Sequence, residues 1–125
     1  MAEQAVRWLG PGVIELWWRG NVHGRDIAET YRRMLELAGT NEVLYLIPNT
    51  MDVSGWAVDV RDPALKVVRF VKDRGVKSLV GAMPSSSLRM LTSTVCFVGG
   101  IRAKFFENME QVKLFLKSNG CQLRS

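Results

Sequence analysis

Three consecutive serines, Ser85-Ser86-Ser87, open a stretch of helical periodicity, with Arg89 two residues further on. Free amides at a helix start beside a guanidinium can cradle a phosphate. The simpler reading is that one serine hydroxyl caps the helix. A second group is Asp59, Arg61 and Asp62, at the end of a polar stretch running from Pro48 to Arg61. Asp62 stands before Pro63, and that pair predicts a helix opening with Asp62 as its cap and Pro63 in its first position. Ser54 sits in the string Asp52-Val53-Ser54-Gly55, where it reads as a turn residue. The two cysteines, Cys96 and Cys121, show neither Cys-x-x-Cys nor Cys/His spacing, so both are expected as thiols with no metal between them. His23, the only histidine, has no serine, cysteine or second histidine beside it and reads as a loop or capping residue. Acid–base catalysis needs paired groups in a cleft, and nucleophilic catalysis needs a Ser or Cys with a base. Neither pattern is present, so the expectation is a chain that is not an enzyme and carries no cofactor.

The elements that hold these residues begin with two short extended segments, Ala5 to Leu9 and Val13 to Trp18, joined by Gly10-Pro11-Gly12 as a hairpin. In the second, Ile14, Leu16 and Trp18 share the face that suits a core. Trp17, on the other face with Glu15, is expected either beneath a helix or exposed as a contact surface. Gly20 to Gly24 ends that strand, and Ile27, Tyr31, Met34, Leu35 and Ala38 recur as the buried stripe of a helix over Arg25 to Ala38.

Val43 to Ile47 is a continuous apolar run, as in a strand covered on both faces near the middle of a sheet. Pro48 to Arg61 then reads as a long connection at that strand's C-terminal end, where open α/β sheets place their working surface. A helix from Pro63 to Arg74 turns Ala64, Val67, Val68 and Val71 inward and Lys66, Arg69, Lys72 and Arg74 outward. Such a basic face is either simply solvated or suited to an acidic partner or anionic lipid. Ser78 to Ala82 follows as a strand parallel to the central one, because a helix of crossover length separates them. The third helix carries Leu88, Leu91, Val95 and Val98 on one side. Met90, Thr94 and Phe97 lie off that stripe, leaving room for a subunit or partner contact, a homodimer included. Ile101 to Phe106 is the last strand. Asn108 caps a final helix, and residues 119–125 read as a flexible tail.

The fold class expected is α/β: one domain over residues 1–125, a mixed sheet of about five strands and four helices, in the order β-β-α-β-α-β-α-β-α. An apolar fraction of 47% and four tryptophans argue against disorder. No apolar run approaches the ~20 residues that span a bilayer, and Met1 to Leu9 lacks a signal-peptide layout, so the expectation is a soluble, cytoplasmic protein that is not transmembrane. The net charge of +5 is spread without a dense block, which favours solubility over nucleic-acid binding.

This order, with Leu16-Trp17-Trp18-Arg19-Gly20, Val43 to Asn49, Gly75 to Val80, and Val98 to Phe106 followed by Glu110-Gln111-Val112, resembles the STAS domain family, the fold of bacterial anti-sigma-factor antagonists, in its SpoIIAA-like branch. The resemblance spans about Arg7 to Lys117. It implies a signalling module that binds another protein, and in classical members a serine at the start of the second helix is phosphorylated to switch that binding. Here counting back from Gly75 puts Asp59 at that serine, while the cap and proline point instead to Asp62; neither offers a hydroxyl. Ser54, whose Asp52-Val53-Ser54-Gly55 string mimics the phosphorylated motif and is the alternative phosphosite, lies too early in the loop. The expected partner-binding edge is therefore Asp59, Arg61 and Asp62 with Ser85, Ser86 and Arg89, a constitutive surface for a protein partner. The alternative is a small-molecule or lipid-binding domain in which Met51, Trp56, Met83 and Phe97 line an apolar pocket.

Overall fold

Gly10-Pro11-Gly12 reverses the chain as its composition requires, with Gly12 at φ +74°, a backbone region that favours glycine. On either side, β1 (Glu3–Gly10) and β2 (Val13–Val22) pair antiparallel. The structure, a computed structural model, describes residues 2–124. After the hairpin come α1 (Gly24–Ala38), β3 (Tyr45–Trp56), a 3₁₀ turn (Val58–Val60), α2 (Arg61–Asp73), β4 (Ser78–Ala82), α3 (Ser86–Gly99), β5 (Arg102–Phe106) and α4 (Met109–Ser118). The sheet runs in the order β1-β2-β3-β4-β5, and the last four strands are mutually parallel. The predicted class and element order hold, with β3 in the middle.

Alternation along the strands divides the core into two layers. Ile14, Leu16, Trp18, Leu46 and Leu79 face one side, where they pack with Ile27 and Met34 of α1, Val67, Val68 and Val71 of α2, and Val95 and Cys96 of α3. Val13, Tyr45, Ile47, Val80 and Ala82 face the other, packing with Val112 and Leu116 of α4. Both faces of the central run are covered, as its unbroken apolarity predicts.

The boundaries of β3 depart from expectation. The segment from Pro48 onward is not a loop: β3 continues to Trp56 and pairs with β2, which itself runs past Gly20 to Val22. Two register shifts interrupt the pairing, between Trp17 and Arg19 and between Gly20 and Asn21. Those bulges break the strict alternation that signals a strand in sequence. β4 stops at Ala82, so beyond Asn49 the extension has a partner on one side only; Thr50 is buried, while Met51, Asp52, Ser54 and Trp56 are exposed. Ser54, expected in a turn, is an exposed strand residue at the second of these bulges.

The start of α2 also differs. The helix begins at Arg61, directly after the 3₁₀ turn, and its cap position is Val60, already helical at φ −72°, ψ −20°. Asp62 therefore caps nothing and lies inside the first turn, where a carboxylate still suits the helix dipole. Pro63 is tolerated there because first-turn amides have no intrahelical acceptor to lose. At the chain's end, Arg124 donates its amide to the Leu9 carbonyl at 2.6 Å, and Cys121 and Leu123 pack against the second core layer. No helix among the described residues is long and apolar enough to cross a membrane.

Candidate docking surface

Because β2 to β5 are parallel, their C-terminal ends lie along one edge of the sheet, and all four helices start there. At α1 the cap position is His23, whose amide donates to Asp26 Oδ2 at 2.8 Å. The next amide, Gly24, donates to Asp59 Oδ1 at 2.9 Å. Asp59 thus ties the turn before α2 to the start of α1. The approach is close enough that a Cβ on residue 24 would lie 2.6 Å from the Asp59 carbonyl oxygen, so glycine is required. Arg61 and Asp62 are exposed and make no side-chain hydrogen bond or ion pair among the described residues. Between Trp56 and Asp59 stands Val58, an aliphatic side chain 91% exposed.

At the neighbouring corner Ser85 caps α3, its Oγ accepting from the Leu88 amide at 3.2 Å. Ser86 and Ser87 are exposed. Arg89 turns away from them: its Nε donates to the Met83 carbonyl, and its Nη2 donates to Glu107 at 3.1 Å. The guanidinium therefore holds α3 to the ends of β4 and β5. On the outer face of α3, Met90 is 73% and Phe97 85% exposed. The corner residues and the serine corner thus share one edge of the molecule, while Ser54 lies earlier, within the β2–β3 ribbon.

Trp17 meets neither expectation. It is half-buried, donates its indole N–H to Asp52 Oδ2 at 2.8 Å, and lies under the Arg19 guanidinium at 5.3 Å. Beside it Glu15 is buried on the same face, paired with Arg7 and accepting from Asn49 Nδ2 at 3.1 Å. Burial pushes the Cys96 thiol up to about 12, and burial also raises Cys121, against a smaller opposing pull from Lys77. Cys96 is therefore protonated and unreactive at neutral pH.

Between α2 and α3, over β3, lies an apolar cavity of about 100 Å³. Trp56 and Met83 line it as expected, but Met51 and Phe97 do not. Met51 follows Thr50, which faces the cavity, and so points to the opposite side of the strand; Phe97 projects outward from α3. The exposed Val58 and the Asp59–Gly24 link had no sequence signal, since each depends on how distant segments meet.

Several solved structures share this architecture. One is the anti-sigma factor antagonist SpoIIAA in its unphosphorylated form, which aligns with a TM-score of 0.65 over 94% of this chain and 99% of its own at 11% identity. The fold is that of SpoIIAA. The phosphorylated SpoIIAA of Bacillus, a cell fate determinant, aligns at 0.60 over 90% of this chain and 99% of its own, with 12% identity. An uncharacterised DUF3478-family protein with a SpoIIAA-like fold from Shewanella loihica PV-4 gives 0.65 over 93% and 95%, with 14% identity. At these identities the likeness to SpoIIAA is one of fold. No protein-family model and no curated protein sequence matches the chain.

Proposed function

We propose that this chain is a non-catalytic regulatory module that binds another protein through the corner before α2. The observation that carries the reading is Val58: an aliphatic side chain held almost wholly in water, on a 3₁₀ turn that Asp59 pins to α1, with exposed Arg61 and Asp62 beside it. An apolar anchor ringed by charges, on a rigid support, is what a compact protein contact uses. Ser85, Ser86 and the exposed Met90 of α3 extend the surface along the same edge, and Arg89 fixes its far corner. The shared fold of an anti-sigma factor antagonist supports the same class of role.

Residues 57–62 read Ala-Val-Asp-Val-Arg-Asp and contain no hydroxyl. Phosphorylation would add roughly −1.5 to −2 charge at such a corner. Asp59 instead supplies one permanent negative charge already committed to the Gly24 amide. The docking surface is therefore constitutive. The test is quantitative affinity capture with the full chain as bait, comparing wild type with Val58→Glu, Asp62→Ala and Asp59→Ser. A partner whose enrichment falls about tenfold or more with Val58→Glu, and stays unchanged with Arg102→Glu on β5, supports the assignment. Interactions indifferent to all three corner changes refute it.

A further inference from the structure

We propose that the cavity between α2 and α3 is a binding site for a slender, uncharged alkyl chain. It lies beneath the protein-docking corner, whose 3₁₀ turn lends Val60 to its wall while Val58 points away into solvent. Its floor is buried carbon from Leu16, Leu46, Val67 and Val95. Its rim is partly exposed, formed by Ala64 of α2, Leu88 and Leu91 of α3, and Trp56 at the end of β3. Only two lining residues carry a hydroxyl, and both are engaged. Thr50 Oγ1 donates to the Ala82 carbonyl at 2.8 Å, and Thr92 Oγ1 donates to Met83 Sδ at 3.5 Å. The Trp18 indole N–H is likewise spent on Thr30 at 2.9 Å, which leaves the Trp56 indole N–H at the rim, too few groups for the two to four polar partners that a water molecule needs to settle in a cavity. The chemistry of the wall therefore selects carbon. Size then selects shape: about 100 Å³ is less than the ~150 Å³ of an engineered apolar cavity that takes benzene. A chain end fits where a ring does not, and the open rim lets the remainder of the chain lie in the crease between the two helices.

The site is tested on the full chain with n-butanol, n-pentanol, n-hexanol and n-octanol, followed by methyl NMR and calorimetry. The expected result is saturable binding that tightens about fourfold for each added methylene until the cavity is full. The shifted methyls should be those of Leu88, Leu91 and Val95. Val95→Phe fills the floor and should abolish binding. Ala64→Leu, at the partly exposed rim, should weaken it by about tenfold even where the first variant does not fold, with an unchanged circular dichroism spectrum confirming that this variant is folded. Val58→Glu, at a side chain that does not line the cavity, should leave the alkanol affinity unchanged, so that loss of docking and loss of alkanol binding are told apart. Absence of saturation, affinity indifferent to chain length, or binding that survives Ala64→Leu at full strength would overturn the proposal.

Discussion

Asp59 shows how one side chain can be legible in type and opaque in role. Its position before a proline-opened helix marks the corner, but its hydrogen bond runs to Gly24, 35 residues away in sequence. Removing the carboxylate with Asp59→Ala leaves that amide without its partner and should cost about 1 kcal/mol, read as a lower urea midpoint at unchanged slope. The serine cluster is the opposite case. Ser85 does the capping that its place before a helical pattern predicts, and the hydrogen bond is local enough for sequence to reveal it.

At the scale of elements, helix faces were readable and the strand extension was not. α2 and α4 turn inward the residues their periodicity selects, because a single apolar stripe has one stable orientation against a sheet. α1 does so with Ile27, Met34 and Ala38, while Leu35, expected in its stripe, lies at the margin and is 39% exposed. The continuation of β3 to Trp56 depends on a second strand running beside it, and bulges erase the alternation that would announce it. How tightly α2 and α3 approach was equally hidden. At Gly99 a Cβ would stand 2.3 Å from Val68 Cγ1, so the helices meet where no side chain fits. Gly99→Ala should therefore destabilise by about 1–3 kcal/mol, although alanine favours helix by up to about 1 kcal/mol over glycine. A fall in Tm on thermal denaturation is the expected outcome, and a rise would mean that the contact yields.

For the molecule as a whole, the buried Cys96 makes global stability depend on alkaline pH. Its thiol stands at about 12 in the folded chain against an unperturbed 9.0. Above pH 9 the unfolded state releases a proton that the folded state keeps, so the contribution present in full at lower pH is lost as pH climbs towards 12. The slope attributable to Cys96 should approach about 1.4 kcal/mol per pH unit. Denaturant unfolding at a series of pH values, wild type beside Cys96→Ala, isolates it, because other groups titrate in both. Equal slopes for the two proteins would place the thiol in contact with solvent.

The order of elements, the hairpin, the central position of the third strand and the inward faces of the helices, apart from the exposed Leu35 and Val98, were determined by the sequence itself. Each follows from residues near one another in the chain: turn glycines, apolar runs and periodic stripes. The docking corner and the cavity were decided only by the tertiary structure. Val58 stays in water because the 3₁₀ turn beneath it is tied to the start of α1. The cavity exists because two helices touch closely at Gly99 while β3, α2 and α3 leave space elsewhere between them. Exposure and empty volume are properties of the gaps between distant segments, and no local pattern encodes them.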